Sequence, residues 1–212
     1  MRMEARNSGS LMGGRTGSRD QAGPAVKWYL YLSLFFLLTC INALIAKFVV
    51  FSFPVAPGAS LFYVVVAFMI AFTLWFGVYG ALAAYTGCYI GAGLLSGIPP
   101  DVALYWSFAD FFEVLIPLAA FRVWGCDPAL RSWRDVLVLV VFGVVINNVV
   151  GSAWGSATLA AGGIIPWSSF GETGIAWLTT NLIICIVLMP PLLRFVTPLL
   201  EGHELYVNDW WH

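Results

Sequence analysis

The chain has 212 residues, of which 60% are hydrophobic and 10% charged, and its mean hydropathy is +0.87. Soluble domains carry about 25% charged residues, so this composition excludes a water-soluble globule and calls for a membrane. A formal net charge of −1 offers no basic field for nucleic acid. No GxxxxGK[ST] loop or GxGxxG turn suggests a nucleotide, since Gly13-Gly14-Arg15-Thr16-Gly17 lacks the Lys.

Residues 1–26, rich in Gly, Ser and Arg, predict a disordered N-terminal tail with no cleavable leader pattern. Fifty-three uncharged residues then separate Lys47 from Asp101, and a second uncharged stretch covers Val136 to Gly171. A spanning helix needs about 20 apolar residues. Six spans are therefore expected, at 27–50, 60–76, 79–97, 102–121, 135–155 and 173–194, in an all-α polytopic membrane bundle over residues 27–196. Spans two and three meet at Gly77-Val78-Tyr79-Gly80, where a single bent helix is the alternative. Residues 197–212 form a short C-terminal tail.

This arrangement places Arg2, Arg6, Arg15, Arg19, Lys27, Arg122, Arg131, Arg134 and Arg194 on one side and only Lys47 toward the other. The positive-inside rule then puts both termini in the cytoplasm, and the plasma membrane is the expected location. Cys40, Cys88 and Cys185 lie in apolar runs and Cys126 in a loop without a CxxC partner, so they are expected to pack rather than form disulfides or bind zinc. His203 and His212 stand nine apart in the tail, which suits neither zinc nor an intramembrane haem. No cofactor or metal is expected. No nucleophile and base of the usual kind can be assembled, which argues against an enzyme.

What stands out is the set of polar groups at lipid depth. Trp106, Asp110, Glu113 and Pro117 are spaced i, i+4, i+7 and i+11, along one face of span four. Intramembrane acids usually face a cavity or a partner, and two adjacent carboxyls are expected to share a proton. At 1.5 Å per residue, Asn42 lies about 22 Å and Asn147 about 18 Å from the inner ends of their spans, while Asp110 and Asn181 lie about 12 Å from the outer ends. Asp110, Glu113, Asn147, Asn42, Asn181 and Trp106 are accordingly the candidate ligand-binding residues, around a cavity open to the outside. Interhelical hydrogen bonding is the competing explanation, and of the consecutive Asn147 and Asn148 one is expected to serve packing.

Lys47 is expected to snorkel to the interface rather than pair with the acids. Trp154, Trp167 and Trp177 mark an outer aromatic belt or, alternatively, a lid over the cavity. Gly80, Ala83, Ala84, Gly87, Cys88, Gly91 and Ala92 form small-residue stripes that serve either bundle packing or a homo-oligomer. Residues 156–172 are expected to form an outer loop, long enough to cap the cavity and compatible with a half-inserted segment. Tyr206, Trp210 and Trp211 in the tail suit docking on a neighbour or a place at the headgroups.

The order of motifs adds a resemblance. Phe53-Pro54-Val55-Ala56-Pro57-Gly58 is followed by Leu74-Trp75-Phe76-Gly77, Gly97-Ile98-Pro99-Pro100, Glu113 and Phe121-Arg122. Arg134-Asp135-Val136, the small residues from Gly151 to Gly155, Gly162-Gly163 and Pro191-Leu192-Leu193 complete the series. Over residues 27–198 this resembles the MASE1 integral-membrane sensory domain of bacterial signalling proteins. The resemblance implies a module that detects a signal in or outside the membrane and passes it to a cytoplasmic kinase or cyclase on a separate chain. The family often has more than six helices, and a Trp-rich stretch ending in Gly-Asp, where this chain has Trp177-Leu178-Thr179-Thr180-Asn181. Two alternatives stay open. The chain is also similar to the substrate-binding membrane subunits of energy-coupling-factor importers of small solutes, and it fits an accessory subunit of a larger membrane complex.

Overall fold

A computed structural model describes residues 28–48, 54–56, 59–60 and 63–211. The predicted tail over 1–26 and half of the motif over 53–58 lie outside the described residues. The architecture is a helix bundle with one two-stranded antiparallel ladder, β1 (Pro54–Ala56) with β2 (Ala59–Ser60). The helices are α1 (Trp28–Phe48), α2 (Val65–Phe76), α3 (Val78–Cys88), α4 (Pro100–Trp106), α5 (Phe108–Trp124), α6 (Trp133–Val138), α7 (Asn147–Ala161) and α8 (Phe170–Leu200). A π-helical turn and a 3₁₀ turn carry α3 on to Ser96, and a π-helical stretch over Leu139–Ile146 joins α6 to α7.

Five helical stretches among the described residues are long and apolar enough to cross a membrane: Trp28–Phe48, Val78–Ser96, Pro100–Trp124, Trp133–Ala161 and Trp167–Leu200. The expected second span is represented among the described residues by a short helix. It has only 12 residues, about 18 Å at the α-helical rise. Val65, Val66, Ala67, Met69, Ile70, Ala71 and Leu74 are all buried, so this is a half-helix buried on most of its circumference, with Phe68, Phe72 and Phe76 half-buried along one stripe. Hydropathy does not distinguish a buried half-helix from a lipid-facing span. Gly77, at φ 59° and ψ −139°, separates α2 from α3 and decides against a single bent helix.

α3 packs against α1 and α2, while α5 packs against α2, α3 and α7. The small-residue stripe serves this intramolecular packing. A Cβ on Gly87 would lie 2.6 Å from Asn42 Cβ, one on Gly91 would strike the Ala43 backbone, and one on Gly80 would strike Phe72. Cys88, Cys126 and Cys185 are buried, but Cys40 is exposed on the outer face of α1 rather than packed. Phe36, Leu37, Leu44 and Phe48 on the same helix are exposed as well, as a lipid-facing surface requires.

Arg122, Arg131, Arg134 and Arg194 gather at one end of the bundle, hereafter the arginine end. Lys47 lies at the opposite end, where its Nζ donates to Leu95 O at 2.6 Å. The turn between α5 and α6 is held by Arg131, which bridges Asp127 at 3.0 Å and Glu201 at 2.6 Å. A capping box between Ser132 and Asp135 starts α6. Two boundaries are corrected. α7 runs to Ala161, so the predicted loop over 156–172 shrinks to a turn before Trp167. Span six extends to Leu200, through Pro190, Pro191 and Pro198.

The C-terminal tail folds back across the arginine end of its own chain. Val207 N donates to Trp75 O and Val78 N to Trp210 O, both at 2.9 Å, and the Tyr31 hydroxyl donates to Glu204 O at 3.0 Å. Arg122 organises this closure by donating to Val207 O at 2.7 Å, Asp209 O at 2.9 Å and Leu74 O at 3.1 Å. Tyr206 is buried beneath the tail, and burial pushes its phenol up to about 12. The guanidinium fork thus ties the end of α2 and the tail to α5. Charge-assisted bonds contribute about 1.5–3 kcal/mol each, so Arg122→Met should speed hydrogen exchange at the Val207 and Val78 amides by about 10-fold or more. Arg122→Lys should not restore protection, and exchange mass spectrometry showing unchanged protection in Arg122→Met would overturn this role.

Candidate functional site: the buried acids of α5

All four residues of the predicted face, Trp106, Asp110, Glu113 and Pro117, are buried. The face continues across the α4–α5 junction, where Ser107 Oγ donates to Ala103 O at 2.7 Å and keeps the two helices nearly continuous. Asp110 and Glu113 are 1% and 0% exposed, which places both carboxyls wholly inside protein.

The Asp110 carboxylate accepts a hydrogen bond from the Tyr63 hydroxyl at 3.1 Å. Cys88 and Tyr63 border this carboxyl, and Ser107 borders Cys88. Tyr63 stands just before α2, so the half-helix begins at the depth of Asp110. Non-helical backbone is tolerated at that depth because protein surrounds it. Sequence reasoning missed Tyr63, since α2 was assumed to start five residues earlier.

Glu113 is held from two other helices. Asn181 Nδ2 on α8 donates to Glu113 Oε1 at 3.3 Å, and Glu113 Oε2 has no hydrogen-bond partner among the described residues. The carboxyl lies against α7 where that helix has no side chain, because a Cβ on Gly151 would strike Glu113 Oε1 and Cγ. One turn further, a Cβ on Gly155 would strike the Trp177 ring. Trp177 borders the Glu113 carboxyl outside hydrogen-bond geometry and packs edge-on against Trp106 with ring centroids 5.8 Å apart. Trp177 therefore belongs to the core and not to an interfacial belt, whereas Trp154 and Trp167 are exposed.

Asn147 has a different task from the one its depth suggested. Pro117 lies four residues after Glu113 and has no N–H, so the Glu113 carbonyl loses its helical donor. Asn147 Nδ2 supplies the replacement across the α5–α7 interface at 3.2 Å. Asn148 Nδ2 donates to Val144 O at 2.7 Å and to Asn147 Oδ1 at 3.3 Å, and reaches Cys185 Sγ on α8 at 3.7 Å. The pair Glu113 and Pro117 was the sequence signal for this repair.

The structure thus brings together Asp110, Glu113, Asn147, Asn181 and Trp106. Asn42 sits apart, on the α1–α3 seam against Gly87, with neither side-chain polar atom hydrogen-bonded among the described residues. Among the described residues no group of three or more His, Cys, Asp or Glu could hold a metal. Two surface pockets, one at each end of the bundle, are lined by none of the six predicted residues. The acids lie between these ends, packed rather than openly exposed.

No protein-family model, no curated protein and no solved structure matches this chain.

Leaving the Glu113 carbonyl without a donor costs about 1–3 kcal/mol, so Asn147→Leu should destabilise the bundle by that amount in detergent unfolding titrations. In a Pro117→Ala background the restored N–H should reduce the penalty by about 1 kcal/mol or more. Equal penalties in both backgrounds would refute the repair. Gly151→Ala should cost about 1–3 kcal/mol by displacing the Glu113 side chain, and Gly163→Ala, whose Cβ has open space, marks the cost of a φ 71° glycine alone.

Proposed function

We propose that this protein is a non-enzymatic sensory module of a cell membrane. A proton or small ligand taken up around Asp110 and Glu113 changes the packing of α5 and is reported at the arginine end to a separate cytoplasmic partner. The observation that carries this reading is that one helix bears both parts. α5 presents Asp110 and Glu113 in the interior and, nine residues after Glu113, Arg122, which holds the folded-back tail. The resemblance to MASE1 sensory domains supports the same assignment, with the arginine end and both termini cytoplasmic under the positive-inside rule.

Such a device requires two packings that bind the signal with different affinity. The chain offers a natural place for them. A carboxylate oxygen without a partner, a proline-interrupted hydrogen-bond ladder and a glycine-lined contact all coincide at Glu113.

The test is hydrogen exchange of the tail in lipid nanodiscs between pH 5 and pH 8, in wild type and in Asp110→Asn/Glu113→Gln. Tail protection should change with pH in wild type and lose that dependence in the double variant. Identical pH dependence in the two proteins would overturn the proton form of the reading. Identification of the proteins that co-purify after mild extraction separates the roles: a kinase or cyclase fits the sensor, while an ATPase pair would replace it with a solute importer.

A further inference from the structure

At the end opposite the arginines, α4 and α7 diverge around a groove of about 460 Å³, a size suited to a small organic molecule. Its walls include Tyr105 and Trp154, with Trp167 beyond them, over a floor containing Val102. Asp101, in the first turn of α4, supplies a carboxylate at the rim and has no ion pair among the described residues. Of the aromatic side chains, Trp154 is held in place. Trp154 Nε1 donates to Tyr105 O at 2.8 Å, and the Trp154 ring meets Phe112 edge-on with centroids 5.2 Å apart.

The polar inventory of the groove selects the ligand. The Trp154 N–H is engaged by Tyr105 O, and the Thr158 hydroxyl donates to Trp154 O at 2.8 Å. These two donors are thus committed to backbone, the Tyr105 hydroxyl and the Trp167 N–H also belong to the lining, and no Lys or Arg lines the groove to offset the repulsion of an anion by the Asp101 carboxylate. Three π faces and one unpaired carboxylate instead favour a large, weakly hydrated cation, which aromatic faces attract and a carboxylate completes. We propose that this groove binds a quaternary ammonium group, presented either by a free solute or by a choline lipid headgroup. The site is independent of the acids of α5, so it stands whether or not their proposed role does.

The experiment is calorimetric titration of choline into the full chain in phosphatidylglycerol nanodiscs. The control ligand is 3,3-dimethylbutanol, a neutral molecule of the same shape. Choline should bind about 10-fold more tightly than the alcohol. Asp101→Asn and Trp167→Leu should each weaken choline about 5-fold or more while leaving the alcohol unchanged. Circular dichroism of each variant checks that the bundle is intact, and choline binding in a second carboxylate variant, Asp101→Glu, should be retained. Equal affinity for choline and the alcohol, or choline binding untouched by Asp101→Asn, would overturn the proposal. Repeating the titration in phosphatidylcholine nanodiscs separates the sources: competitive loss of choline binding identifies a lipid headgroup, and unchanged binding identifies a free solute, both with the same site chemistry.

Discussion

Backbone carbonyls and amides at lipid depth have no water to turn to, and the rest of this structure depends on how the chain satisfies them wherever a helix is interrupted. Two interruptions matter. Pro117 strips a donor from Glu113 O, and Asn147 replaces it from α7. Gly77 ends α2, and Arg122 takes over Leu74 O while the tail accepts the Val78 N–H at Trp210 O. The amide of Val207 in turn serves Trp75 O. Every repair uses a group from a distant part of the chain, so each is also a tertiary tie.

Two of these ties end on α5, which explains the central position of that helix. It meets the half-helix α2 through Tyr63 and Asp110 at one level and through Arg122 and Leu74 O at another. It meets α7 through Asn147 and through the bare backbone of Gly151. Close-packed contacts of this kind transmit displacement rather than absorb it. A change in the state of Glu113 therefore cannot stay local, because neither the carboxyl nor the Trp177 ring beside it has free volume toward α7.

Much of the bundle was legible in the sequence, because length, hydropathy and the segregation of arginines are one-dimensional signals. The helical face of Trp106, Asp110, Glu113 and Pro117 was legible for the same reason: its period survives the break at Ser107. The half-helix was not, since VVAFMIAFTLWF is equally apolar whether lipid or protein surrounds it. Tyr63 was hidden by that error. Trp177 was misplaced because an indole near a span end suits an interface and a core alike, and only the notch at Gly155 decides between them. The fold-back of the tail depends on the reach of Arg122, a side chain whose charge suggested topology and concealed its hydrogen bonds.

The two repairs on α5 differ in strength, and the difference indicates where the helix yields. At the arginine end three charge-assisted bonds from one planar group fix α5 to the tail and to α2. At Glu113 a single neutral amide bond of 3.2 Å closes the gap left by Pro117. Bending is cheapest at the weaker joint, which is also where the unpartnered carboxylate oxygen sits. Under the proposed sensory role, the segment from Pro117 to Trp124 would move as one body with the tail it holds, and the stronger joint would carry that displacement to the arginine end.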